Sequence, residues 1–208
     1  MRNKVFVLLL LLGLSPSSQA EEGRILNTLS PKLRQFLSEN PKAYQSLTNS
    51  LSEAFAKRTL QLYYFYSDDE SIARASHYYP NEAAVGIFIR ENQQALDEFI
   101  CLVFEAINSI SEKGFLELFA KAESGEISKD NFTREIAKLE FKAAKRTRDL
   151  LMGIRPSGSE AFRSYYYKRF KDCPDDFEDF LLYSKKVSSP HRDSTKEWEM
   201  KYDLLRKH

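Results

Sequence analysis

Apolar residues return at three- and four-residue steps through most of the chain, and this spacing predicts helices. Leu33, Phe36 and Leu37 form the face of a short helix that Ser30 caps, Pro31 opens and Asn40-Pro41 ends. Tyr44, Leu47, Leu51, Ala54 and Phe55 give a second helix from Lys42 to Arg58. Then the period changes. Leu60–Tyr66 is short and aromatic-rich, and Ser67-Asp68-Asp69 bounds it. With Ala75–Tyr79 and Ala84–Arg90 it reads as a set of strands. From Gln93 onward the helical period returns, over Gln94–Ser111, Phe115–Ala122, Ser128–Met152, Ser159–Phe170, Pro174–Lys185 and Ser194–Arg206. Gly125, Gly153, Gly158, Pro174 and Ser188-Ser189-Pro190 punctuate these segments. The expected fold is a single α+β domain, mainly helical, with a small sheet of about three strands between helices.

The first residues follow another logic. Arg2 and Lys4 precede the apolar run Val5–Leu12, and Ser18-Gln19-Ala20 leads into Glu21-Glu22. A basic start, a short apolar stretch and a small-x-small end make a secretory signal peptide over residues 1–20. The run is shorter than the roughly 20 residues that span a bilayer. Residues 21–187 are then the globular domain and 188–208 a charged C-terminal helix, whose charge predicts loose packing. The expected localisation is secreted or periplasmic, with no membrane span once the signal is cleaved.

Composition narrows the classes. Of 208 residues, 42% are hydrophobic and 29% charged, which is globular usage rather than that of a disordered chain. Lys+Arg number 31 and Asp+Glu 30, so nothing draws the chain to nucleic acid. Losing Arg2 and Lys4 changes the net charge only from +1 to −1. The partner's identity stays open, with protein the expected class. The two cysteines, Cys101 and Cys173, form a disulfide in an oxidising compartment, or are a buried small hydrophobe and a surface thiol.

The helix from Gln94 to Ser111 is unusual. Stepping 100° per residue, Gln94, Asp97, Glu98, Cys101, Glu105, Asn108 and Ser109 fall within about 120°. Apolar residues cover the rest, so the helix belongs at the centre of the fold. Its polar stripe either faces water or lines a cleft. On the long helix, Glu140 has Ile136, Ala137, Ala143 and Ala144 as neighbours, so it is paired with a cation or raised in pKa. Arg134, Lys138, Lys142, Lys145 and Arg146 form a basic band there, either a solvated face with local pairs to Glu135 or a site for an anionic partner. Tyr165, Tyr166, Tyr167 and Phe170 interleave with Arg163, Lys168 and Arg169, which reads as core packing with solvated cations.

A strand ending at Arg90 followed by a helix starting Leu96-Asp97-Glu98-Phe99-Ile100-Cys101 resembles the layout of zincin-type metallopeptidases. Those place His-Glu-x-x-His on the active-site helix and draw a third ligand, commonly Glu, from a later helix. The resemblance implies metal ligands at Asp97, Cys101 and Glu140 (or Glu135), with Glu98 as the catalytic carboxylate and zinc as the metal. Asp97 and Cys101 stand where the histidines belong, so the resemblance is to a degenerate domain without peptidase activity. His77, His191 and His208 are isolated, and no phosphate loop, nucleophile elbow or Cys-x-x-Cys is present. The expected function is therefore non-catalytic, binding a macromolecule or supporting the envelope, with no cofactor. The alternative is a metal-dependent hydrolase with atypical Asp, Cys and Glu ligands.

Overall fold

The computed structural model describes residues 24, 26–56, 59–65, 84–90, 94–154, 156–187 and 194–207. The signal segment, the expected strand Ala75–Tyr79 and the three histidines lie outside the described residues.

Helix α1 spans Pro31–Glu39 and α2 spans Pro41–Phe55. Ser30 caps α1, its hydroxyl oxygen accepting the Leu33 N–H at 3.1 Å. Asn40 separates the two helices and donates its side-chain amide to the Phe36 carbonyl at 2.8 Å, which satisfies an end group of α1. Thr59–Phe65 (β1) and Ala84–Arg90 (β2) are extended and pair in parallel, from Thr59 opposite Ala84 to Phe65 opposite Arg90.

Helix α3 covers Ala95–Ile110, α4 Glu112–Ser124 and α5 Lys129–Met152. Ser128 caps α5. Gly125 ends α4 at φ +80°, the left-handed region that glycine enters without a Cβ clash. Helix α6 is Gly158–Arg163, α7 Tyr165–Lys171, α8 Phe177–Val187 and α9 Ser194–Leu205.

These assignments overturn the α+β expectation. The body is helical, and among the described residues the only strand pairing is the two-stranded ribbon rather than a three-stranded sheet. An aromatic, β-branched run favours extended backbone locally, but sheet formation depends on distant partners that such a run does not specify. A second correction concerns Ser159–Phe170, expected as one helix. It breaks at Ser164, which takes an extended conformation (φ −71°, ψ 120°) and caps α7 through the Tyr167 N–H at 2.9 Å. Serine competes for backbone hydrogen bonds in this way, which favours caps over helix interiors.

Two apolar clusters hold the body together. The larger gathers Leu33, Leu47, Leu51, Phe99, Ile100, Leu102 and Val103, with the Phe36 and Phe99 rings 5.7 Å apart. Helix α3 is at its centre, against α1, α2, α5 and α7. The second cluster joins Phe119, Ala122, Phe132 and Ile136. Here α9 packs rather than dangling, contrary to the expectation from its charge. Trp198 lies against Phe115 and Phe119, Tyr202 lies against Phe132, and the Tyr202 hydroxyl donates to the Ile127 carbonyl at 2.8 Å. Helix α5 runs through both clusters, with Phe132 and Ile136 in one and Ala143, Ala144 and Leu151 in the other.

Candidate functional site

Most of the polar stripe of α3 is buried or half-buried against other elements rather than turned to water. Glu98 is 3% exposed and Glu105 6%, and Cys101 is buried. Helix α7 lies across the stripe. Asp97 accepts the Ser164 hydroxyl and the Tyr166 N–H, the latter at 3.2 Å. Burial raises the Asp97 carboxyl above its ordinary value, partly offset by these hydrogen bonds. Cys101, one turn on, meets the Tyr166 side chain. Complete burial, reinforced by the charges of Asp97 and Glu105, pushes its thiol well above the usual range. A thiol in that setting is a poor nucleophile, because nucleophilic attack needs the thiolate.

Glu98 turns the other way and accepts the Ser30 hydroxyl at 2.6 Å. Glu140 accepts the Trp198 indole N–H at 3.2 Å, and Glu135 accepts Lys138 at 2.5 Å. Sequence reasoning gave Glu140 a cation or a raised pKa; one partner the structure gives it is a neutral indole from α9. The implied ligand set is therefore distributed: Asp97 engages α7, Glu98 the start of α1, and Glu140 α9. Among the described residues, no group of three or more His, Cys, Asp or Glu side chains could hold a metal ion. Among the described residues, the side chains that the resemblance names do not come together as a zinc site.

The expected cysteine pair is also corrected. Cys101 and Cys173 are both buried thiols, and no disulfide joins them. Neither is on the surface, and burial raises the Cys173 pKa to about 11. Much of the basic band is paired: Arg134 with Glu178, Lys145 with Asp175 at 3.2 Å, and Arg146 with Glu53. Arg134 also sits 5.2 Å from the centre of the Phe177 ring.

One concave site was not legible in the sequence. A groove of about 260 Å³ runs between α5, α8 and α9, lined by Thr133, Ala137, Glu140, Phe180, Lys185 and Trp198 among others. Its α5 wall is a helical stripe in which Ala137 leaves room. Nothing local in the sequence shows that α8 and α9 border that stripe. A wider cleft of about 430 Å³ lies where the α1–α2 turn meets Gly153 and Ile154, with Glu39 and Lys42 as its charged lining residues. The groove has the more varied chemistry: aromatic walls, hydroxyls and charges of both signs.

The chain matches no family model, no curated protein and no solved structure. Among the described residues, no helix is long and apolar enough to cross a membrane.

Proposed function

We propose that the chain is an exported, non-catalytic binding protein whose binding site is the groove between α5, α8 and α9. On this reading the Asp97-Glu98-x-x-Cys101 segment keeps a zincin-like spacing without its chemistry. The observation that carries the reading is the commitment of Asp97, Glu98 and Glu140 to hydrogen bonds with three separate elements. Carboxylates used in this way brace helices and leave no shared point for a metal or a substrate.

At about 260 Å³ the groove is below the usual size for a drug-like ligand. It suits one or two anchoring side chains of a protein partner, with Phe180 and Trp198 against the apolar part and Lys185 and Glu199 at its polar edge. A photocrosslinking residue at Leu181, which lines the groove, tests this in the producing cell. One discrete protein adduct is expected at Leu181 and none at Lys113, a control on α4. Equal labelling at both positions, or none at either, rules the groove out.

The hydrolase alternative predicts stoichiometric zinc in protein purified without chelator, lost in Cys101→Ala. The non-catalytic reading predicts substoichiometric zinc that Cys101→Ala leaves unchanged.

A further inference from the structure

We propose that the outward face of α6 and α7 docks on the surface of an anionic lipid bilayer, independently of the groove.

The patch joins exposed aromatics to cations. Phe162 is 75% exposed and Tyr165 46%. The Lys168 ammonium sits 4.7 Å from the centre of the Phe162 ring, which brings the end of α6 and the face of α7 into one surface. At 100° per residue, Tyr165, Lys168 and Lys171 span about 120° of α7. The three are exposed, while Phe170, on the opposite side, is buried in the main core. Arg163 is exposed at the end of α6.

Charge points to the occupant. The cations of this segment are Arg163, Lys168, Arg169 and Lys171, and its acids are Glu160 and Asp172. Among the described side chains no carboxylate forms an ion pair with Lys168 or Lys171, whereas much of the α5 band is paired. A chain that balances 31 basic residues against 30 acidic ones thus gathers cations without carboxylate partners around the most exposed phenylalanine among the described residues. Aromatic rings settle at the headgroup level of a bilayer, and cations beside them gain from anionic lipid. On contact, Lys168 exchanges the Phe162 ring for lipid phosphate, and the ring is freed to insert.

Other occupants fit less well. A second copy would bring two sets of like charges together, which is repulsive. Base-stacking grooves for nucleic acid need a basic channel lined by successive aromatics, and here the exposed aromatics are Phe162 and Tyr165, where two short helices meet.

The test uses the full chain carrying Phe162→Trp, mixed with phosphatidylcholine vesicles with or without phosphatidylglycerol, some made with brominated lipid. Because residue 162 is exposed, the substitution leaves the fold intact, and helical circular dichroism verifies this. The readout is local to position 162, so any vesicle binding by the apolar run near the N terminus does not mimic it. Anionic vesicles are expected to shift the emission to shorter wavelength, and brominated anionic lipid to quench it by at least about twofold. The native chain, whose tryptophan is Trp198 in the second cluster, should show no quenching. Adding Lys168→Glu and Lys171→Glu should abolish the effect. Unchanged emission with anionic vesicles overturns the proposal. Equal quenching by pure phosphatidylcholine also overturns it, as does a shift produced instead by duplex DNA or by raising the protein concentration.

Discussion

The Ser30 hydroxyl donates to Glu98 at 2.6 Å while accepting the Leu33 N–H at 3.1 Å, so one carboxylate on α3 fixes the start of α1 from 68 positions away. Its neighbour Asp97 does the same for α7 through Ser164, which accepts the Tyr167 N–H at 2.9 Å. Adjacent carboxylates in the first turn of the central helix thus hold the cap serines of two other helices. A carboxylate near that helix N-terminus is also favoured by its dipole.

The Ser30–Glu98 pair should be energetically coupled. Ser30→Ala is expected to cost about 1–2 kcal/mol, as a lost cap that also leaves a buried carboxylate short of a donor. Glu98→Gln should cost less, because the amide oxygen still accepts. In a urea-unfolding double-mutant cycle of Ser30→Ala with Glu98→Ala, the two losses should overlap by at least about 0.5 kcal/mol. Strict additivity would show that the contact carries no stability.

Asp97 should give stability a distinct pH dependence. Its folded pKa is raised above 3.8 by burial, so the folded state favours the protonated form. That contribution is fully present below pH 3.8 and is lost as pH rises through the raised folded value. Asp97→Asn keeps an acceptor for Ser164 and Tyr166 but does not titrate. The native chain should therefore lose stability relative to Asp97→Asn as pH rises across that window, measured by urea midpoints at a series of pH values. Asp97→Ala should cost about 1–2 kcal/mol at neutral pH through loss of the bond to the α7 cap.

The two thiols should be silent in the native protein and reactive once it unfolds. Both are buried and both have pKa values raised by burial, Cys173 to about 11. Titration with a chromogenic disulfide reagent at mildly alkaline pH should find no fast thiol in the native state. Without reductant, two thiols per chain should appear in guanidinium. A count of zero after unfolding would establish the Cys101–Cys173 disulfide that export first suggested.

Gly125 should resist substitution for two separable reasons. Its φ is +80°, and a Cβ there would lie 2.7 Å from the Arg206 guanidinium, which donates to the Glu123 carbonyl at 3.0 Å. Gly125→Ala is expected to cost about 1–2 kcal/mol for the left-handed backbone, with a further loss from displacing Arg206. In an Arg206→Ala background only the backbone part should remain. Thermal unfolding of the native chain, the two single variants and the double variant separates the two.

Much of the helical layout was legible because its signals are local. Ser30 and Ser128 cap where the apolar period begins, and Gly125 stops α4 where left-handed backbone is needed. The central position of α3 followed from its wide apolar face. The break at Ser164 was missed because a serine in an aromatic, helix-compatible run becomes a cap only when a partner such as Asp97 stabilises it. The α9 anchor was missed because Trp198 and Tyr202 are sparse among charges, and the surface they cover belongs to α4 and α5.

By itself the sequence determined which stretches form helices and where most of them start and stop, since these depend on residues a few positions apart. It also set the polar stripe of α3, because a helix fixes the angle between successive side chains. Tertiary structure alone decided what that stripe meets. It placed α7 over Asp97 and Cys101, turned Glu98 to α1, and gave Glu140 to Trp198. Those pairings join residues 58 to 69 positions apart. They arise because buried polar groups must find partners wherever packing brings them, and no local pattern encodes that choice.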